Sequence, residues 1–268
     1  MDVADYIEIV ASEGDRFATA AGHGELNVDV PTCDGWDMRQ LVQHVGLIHL
    51  WAAANVASPS DSWLQVDDLA VLADHWPDLA SSWPDDADLI SWYRQTNANL
   101  VRVLESAPAD VECFTFLPAP TPLTMWARRQ AAEIAIHRFD AEISHGITSH
   151  FDQRFSADML DELLVGFAPL QTRLAGRVEQ VLHVHANDVD EHWYVRIGMH
   201  DIKTSREGYN ADLTATGTAA DLNLFLWNRT RHSNVTLTGN TDLMDTWRSG
   251  HRVEWRGGRG PESNKQAV

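Results

Sequence analysis

The stretch AAEIAIHRFDAE, residues 131–142, belongs to the helix on which the prediction of the fold depends. Its alanine, isoleucine and phenylalanine residues have the spacing of an apolar helix face. Glu133 and His137 are four residues apart and Asp140 follows three residues later, so the three share one stripe of that helix. A solvated helix face is the commoner origin of such a stripe. Half of a metal site is the alternative, and other parts of the chain must decide between them.

Helical patterns fill the first half of the chain. They cover roughly residues 2–21, a segment after TCDGWD (32–37), residues 87–107 and residues 124–144. Asp34 is predicted to cap the second helix. On the fourth helix the predicted core stripe is Ala132, Ile136, Phe139 and Ile143. Four helices of about 20 residues predict a four-helix bundle over residues 1–150.

A long acidic segment that contains several Trp residues, 58–88, separates the second and third helices. Connections of this length in compact domains are typically functional or disordered. Its composition does not define a role.

The pattern changes to a mixed one after about residue 150. A helix over 156–175 leads into the alternating runs VLHVHA (181–186) and HWYVRIG (192–198), which predict a hairpin. A further extended stretch, a short helix, a strand and a closing helix follow over 211–218, 219–229, 235–239 and 242–247. Residues 151–256 therefore form a predicted second, α+β domain, and residues 257–268 a predicted disordered tail. The whole chain is expected to be a two-domain α+β protein.

The composition argues against several classes of partner. A formal net charge of -19 over 268 residues argues against nucleic acid and against anionic membrane surfaces. No run of 18 apolar residues predicts a membrane span, and the N-terminus lacks the features of a signal peptide. With only Cys33 and Cys113 and no CxxC motif, a reducing, cytoplasmic location is expected.

A third metal ligand can come from the second helix, in QHVGLIH (43–49). His44 lies beside the apolar stripe of that helix, and Gly46 indicates the close approach of a neighbour or a ligand. A core histidine would be the ordinary interpretation of His44 alone. Joined to Glu133 and His137, it completes three ligands and leaves one position open, as in catalytic zinc sites.

Two other features carry less weight. His183 and His185 alternate along a strand and share one face, where a solvent-facing pair is favoured over a two-ligand element. Cys33 precedes the second helix. We interpret it as a small buried residue in preference to a residue that lines a pocket.

These residues lie within segments that resemble the mycothiol-dependent maleylpyruvate isomerase family. The resemblance rests on VPTCDGWDMRQLVQHVGLIHLWAA (30–53), WARRQAAEIAIHRFDAE (126–142) and ADLTATGTAADLNLFLWNR (211–229), followed by VTLTGN and DLMDTW. It implies a DinB-like metal-binding bundle and a sterol-carrier-like C-terminal domain. It also implies that His44, Glu133 and His137 bind zinc or another divalent metal. The family often has His where this chain has Ala132, which is not a ligand position.

The resemblance further implies mycothiol as the thiol cofactor and an electrophilic small molecule as substrate, in a monomer or homodimer. A metal-activated thiolate would then support either cis–trans isomerisation or mycothiol S-transfer. Arg229 is the implied substrate or thiol contact, with Arg231 as the alternative. Asp140 is predicted to orient His137 or to contact the thiol, unless it is a surface charge, and Arg129 to pair with Glu133 or contact the cofactor. A non-catalytic binding or regulatory module on the same fold is the alternative function.

Overall fold

The four helical patterns of the first half form four long helices. In the computed structural model these are α1 (Val3–Ala21), α2 (Met38–Ala57), α4 (Asp86–Ser106) and α5 (Pro122–Ser144). A 3-10 turn, Leu69–Leu72, and a short helix α3, Pro77–Ala80, lie between α2 and α4. Helix α1 packs against α5, and α2 packs against α4 and α5. The helical N-terminal unit predicted from the sequence is thereby confirmed.

The structure describes residues 1–58, 64, 68–171, 178–230 and 234–250. They form two compact units, Met1–Ser149 and a second unit that begins at His150. The predicted tail, 257–268, lies outside the described residues. Across the described ranges no helix is long and apolar enough to cross a membrane.

Helix α2 begins later than the sequence suggested. Asp37, and not Asp34, is its N-cap: the Asp37 carboxylate accepts the N–H of Gln40, and the Gln40 side chain accepts the N–H of Asp37. Asp34 lies instead in a tight turn in which Gly35 has a φ of +77° and the Trp36 N–H donates to the Cys33 carbonyl. A residue inside this turn cannot occupy the cap, so the prediction for Asp34 was wrong.

Helices α2 and α5 are buried on nearly all sides. Gly46 permits the ring of Trp92 to approach α2 closely, because an added Cβ would lie 2.3 Å from that ring. The sequence had indicated such a close neighbour. On α5, the predicted core residue Ile143 is 42% exposed, whereas polar residues such as Arg138 are fully buried. The Arg138 guanidinium donates to the carboxylates of Glu13 and Glu142, which joins α5 to α1.

The second unit is built on a five-stranded sheet with the order β3-β2-β1-β4-β5. Strands β1 (Gln180–Ala186) and β2 (Glu191–Ile197) form the predicted antiparallel hairpin, and β1 also pairs in parallel with β4 (Leu213–Gly217). Strand β5 (Thr236–Gly239) pairs with β4, and β3 (Ile202–Ser205), which the sequence did not predict, pairs with β2. The described helices of this unit are α6 (Gln153–Asp161), α7 (Ala219–Leu226) and α8 (Asp242–Gly250).

Alternation along the hairpin separates its two faces. The apolar residues Leu182, Val184, Trp193, Val195 and Ile197 are buried. The other face carries half-exposed residues, among them three histidines.

The long helix expected over 156–175 is shorter than predicted. Helix α6 is followed by a π-helical turn, Glu162–Phe167, and then by a 3-10 turn, Ala168–Leu170. Residues 172–175 lie outside the described part. Pro169 in that last turn has no N–H with which to continue an α-helix.

Candidate metal centre

Three side chains converge between α2 and α5. The Nε2 atoms of His44 and His137 lie 3.5 and 3.2 Å from the same carboxylate oxygen, Oε1 of Glu133. One ligand atom from each residue lies within 4.8 Å of the others. Both histidines are buried, whereas the Glu133 side chain retains 24% exposure. The structure therefore brings together the three residues predicted to be metal ligands.

Local structure explains this convergence. Glu133 and His137 are one turn apart on α5, so both side chains leave the helix on one side. His44 reaches them from the neighbouring helix α2, and its ring meets the edge of the Trp36 ring at a centroid distance of 4.9 Å. The turn before α2 thus provides one wall of the site.

Asp140 holds His137 in a defined orientation. The Nδ1 atom of His137 is 2.8 Å from Oδ2 of Asp140, and the Asp140 side chain is fully buried. The Thr32 hydroxyl donates to Oδ1 at 2.6 Å and the Cys33 thiol to Oδ2 at 3.4 Å. An Nδ1–H bond to Asp140 leaves Nε2 of His137 facing Glu133 as the atom that can bind a metal once it has lost its proton, which is the arrangement of metal-ligating histidines. Burial excludes the interpretation of Asp140 as a surface charge.

The charges of the site are strongly coupled. Burial alone would raise the pKa of Glu133, but the Arg129 guanidinium and hydrogen bonds from His137 and His44 together hold that pKa well below its usual value. For His137 burial alone would lower the pKa, but hydrogen bonds to Asp140, Cys33 and Glu133 together raise it well above its usual value. Glu133 is therefore ionised at neutral pH.

Arg129 forms an ion pair with the second carboxylate oxygen of Glu133. Its Nη2 atom donates to Oε2 at 2.8 Å, and its side chain is buried. This is the pairing that the sequence suggested. Oε1 is left for the two histidines, while contact of Arg129 with a cofactor stays a prediction.

His49 lies on α2 behind the ligands and is fully buried. Desolvation by burial lowers its pKa to about 3, although Glu133 acts in the opposite direction. Within the part of the chain that the structure describes, neither ring nitrogen of His49 has a hydrogen-bond partner. The ring is therefore neutral at physiological pH.

Sequence reasoning missed the contribution of the turn before α2. Thr32 and Trp36 were not candidates, and Cys33 was interpreted as a small buried residue, whereas it is half-buried and touches Asp140. Cys33, His137 and Asp140 form a second possible ligand group around the same histidine. No periodic signal identifies such loop residues.

The predicted arginine contacts belong to the second unit. Arg229 follows α7, is half-buried and donates from Nη1 to the carbonyl of Trp227 at 3.1 Å. A cation at a helix C-terminus is favoured by the helix dipole, and this contact agrees with that interpretation. Arg231 lies outside the described residues. The functional roles of both residues stay predictions.

The fold and the candidate site together define a class of two-unit proteins. In this class a helical unit presents two histidines and one glutamate, and an α+β unit follows it in the chain. Residues 8–142 match the family model for the mycothiol maleylpyruvate isomerase N-terminal domain, and residues 154–246 match that for the MDMPI C-terminal domain. The chain belongs to the mycothiol maleylpyruvate isomerase family.

Two solved structures share its fold. A crystal structure of the mycothiol-dependent maleylpyruvate isomerase aligns with a TM-score of 0.61 at 12% identity, over 95% of this chain and 96% of that one. A mutant form of that isomerase aligns with a TM-score of 0.59 at the same identity and coverage. No curated protein sequence matches this chain.

Proposed function

We propose that this protein is a metal-dependent enzyme that uses mycothiol to act on an electrophilic small molecule. The observation that carries the proposal is the convergence of His44, Glu133 and His137 on one point, where the carboxylate of Glu133 is partly exposed. Membership of the mycothiol maleylpyruvate isomerase family supports the thiol and the reaction class.

The donor set fits zinc or a similar divalent ion. Two imidazole nitrogens and one carboxylate oxygen are ligands that Zn²⁺ accepts, and three protein ligands are typical of catalytic sites that keep an open position. The Asp140 contact fixes the tautomer of His137, and the Arg129 contact keeps Glu133 oriented and ionised. Both partners are of the kind that supports metal ligands in proteins.

A bound divalent ion supplies one chemical effect, a lower pKa of a thiol at its open position. The protein's own residues do the remaining work. Glu133 marks the side from which a thiol would approach, since its side chain is 24% exposed whereas that of His44 is buried. Trp36 and Cys33 border the site from the turn before α2, since Trp36 touches the His44 ring and the Cys33 thiol donates to Asp140; we expect Trp36 to contact the bound molecules.

The reaction that we propose is thiol-dependent cis–trans isomerisation. The thiol adds to a conjugated double bond, the resulting single bond rotates, and elimination regenerates both the double bond and the thiol. Solved structures of the same fold carry the name mycothiol-dependent maleylpyruvate isomerase, which supports isomerisation ahead of S-transfer. The half-exposed free thiols of Cys33 and Cys113 agree with a reducing compartment such as the cytoplasm.

The test is turnover by the purified full chain with mycothiol and maleylpyruvate, followed by product analysis, with and without Zn²⁺. We expect activity that a chelator removes and that His44→Ala abolishes. His200→Ala, which removes an exposed histidine of the second unit, is the matched control and should be as active as wild type.

The outcomes separate the alternatives. Consumption of mycothiol into a stable adduct would assign S-transfer in place of isomerisation. Metal binding without turnover across a panel of electrophiles would favour a binding or regulatory module. Equal activity in the His44→Ala variant and wild type would contradict the role of the metal centre.

A further inference from the structure

A second group of metal-ligating side chains lies on the sheet of the second unit. His185 and His192 are directly paired across the β1–β2 hairpin, and His183 is on the same face of β1. The rings of His185 and His192 stack at a centroid distance of 4.1 Å. This cluster has no role in the proposed thiol chemistry.

Asp190 brings a carboxylate to the two paired histidines. Its Oδ1 atom is 3.3 Å from Nε2 of His185 and 3.6 Å from Nε2 of His192. These three ligand atoms all lie within 4.8 Å of one another. Asp190 ends the turn of the hairpin with a φ of +53°, a left-handed conformation that aspartate adopts more readily than most residues. The hairpin turn itself therefore completes the cluster.

A hydrogen-bond chain orients His192. Its Nδ1 atom is 2.9 Å from Nε2 of His183, and Nδ1 of His183 is 3.3 Å from the Thr214 hydroxyl on β4. The arrangement in which both Nδ1–H groups donate, from His192 to His183 and from His183 to Thr214, satisfies every member of the chain. It leaves the Nε2 lone pair of His192 facing Asp190. A ligating histidine usually donates its other N–H in this way.

We propose that His185, Asp190 and His192 form a second site for a divalent transition-metal ion, with His183 as the residue that positions His192. Imidazole ligands select zinc, nickel, cobalt or copper over magnesium and calcium. All three ligands are at least partly exposed, so solvent can fill the remaining coordination positions. The site uses no residue of the His44 centre, and its test is independent of the function proposed above.

Zinc binding to the full chain tests this site. Protein stripped of metal with a chelator is dialysed against ZnCl₂ at slightly alkaline pH, and bound zinc is measured by elemental analysis. We expect His185→Gln and His192→Gln each to lose a single equivalent of zinc per chain. His183→Phe should keep the stoichiometry but bind that equivalent about 10- to 100-fold more weakly, because it removes the acceptor of the His192 N–H.

Two further variants make the result specific. His200→Gln removes an exposed histidine of the same unit outside the cluster and should retain wild-type binding. The His44→Gln variant should still bind the equivalent that His185→Gln loses, whether or not the first centre binds metal. Zinc binding that His185→Gln and His192→Gln leave unchanged would overturn the proposal. So would an equal loss in His200→Gln, since that loss would indicate nonspecific binding to surface histidines. Circular dichroism of each variant verifies that the fold is intact.

Discussion

Asp140→Asn is the most informative single change at the candidate metal centre. Asp140 accepts hydrogen bonds from His137, Thr32 and Cys33 with its two carboxylate oxygens and is fully buried. Asparagine has the same size but one acceptor oxygen and no charge. The variant therefore cannot accept from all three donors, and it removes the negative charge that makes the His137 ring a better ligand.

The expected effect is weaker zinc binding. Loss of the partner of a ligating histidine typically lowers metal affinity by about 10- to 100-fold. That corresponds to about 1.4 to 2.7 kcal/mol. The Asp140 to His137 distance is 2.8 Å and the Asp140 side chain has no solvent contact, so water does not weaken this hydrogen bond. We therefore expect the affinity for zinc to decrease by an amount within that range.

The effect should also depend on pH. In the metal-free wild type the hydrogen bond to Asp140 contributes to the raised pKa of His137, and the proton on this ring must leave before zinc can bind. In Asp140→Asn this pKa is lower, so protons compete with zinc only at a lower pH. The ratio of the Kd of the variant to that of wild type should thus be largest at alkaline pH and decrease as the pH falls.

Competition with a chromophoric chelator across a range of pH measures both Kd values. Asp110→Asn makes the same chemical change at an exposed position of the same unit and should bind zinc as wild type does. Equal affinities of Asp140→Asn and wild type at alkaline pH would refute the reasoning. A ratio that grows toward acid pH would refute the assigned role of the proton.

Three further predictions concern stability, measured by urea unfolding of the metal-free protein. Gly46→Ala should lose about 1 to 3 kcal/mol because its Cβ would overlap a tryptophan ring of α4; unchanged stability would show that the ring moves freely. Arg138→Met should lose about 3 kcal/mol because the carboxylates of Glu13 and Glu142 lose a fully buried cation and keep the partly exposed Arg16 as a neighbour; a loss below 1 kcal/mol would contradict this. The pKa of His49, about 3 when folded, means that only the unfolded chain takes up its proton between about pH 6.5 and 3, so stability falls as the pH falls. From pH 7 to 5 wild type should lose about 2 kcal/mol more than His49→Leu; equal losses would contradict the lowered pKa.

Helical periodicity was sufficient to predict the elements of the first unit. The four long helices follow from apolar residues at helical spacing, and the hairpin of the second unit follows from strict alternation. Strand β3 was not predicted because its four residues, Ile202–Ser205, are too few to establish an alternating pattern. The cap of α2 was misplaced because two aspartates, Asp34 and Asp37, precede that helix, and only the backbone turn between them selects one.

The candidate metal centre was predicted in part. Spacing on α5 placed Glu133 and His137 on one side, and His44 beside the apolar stripe of α2 offered the third ligand. The resemblance to a family implied the same three residues. The partners Thr32 and Cys33 are separated from Asp140 by 108 and 107 positions in the chain. A sequence pattern within one helix or strand cannot indicate a contact between residues so far apart in the chain. The same holds for Asp190, which joins His185 and His192 only through the conformation of the hairpin turn.

The sequence by itself thus determined the helices, the hairpin and the α+β class, because each of these depends on residues a few positions apart. It also suggested the three candidate ligands, from histidines and a glutamate beside the apolar stripes of two separate helices and from the resemblance to a family. Only the tertiary structure decided which side chains surround those ligands, that Asp140 is buried against His137, and that a second histidine cluster gains a carboxylate. These are contacts between elements, and they depend on how the helices and strands pack and not on the order of residues within any one of them.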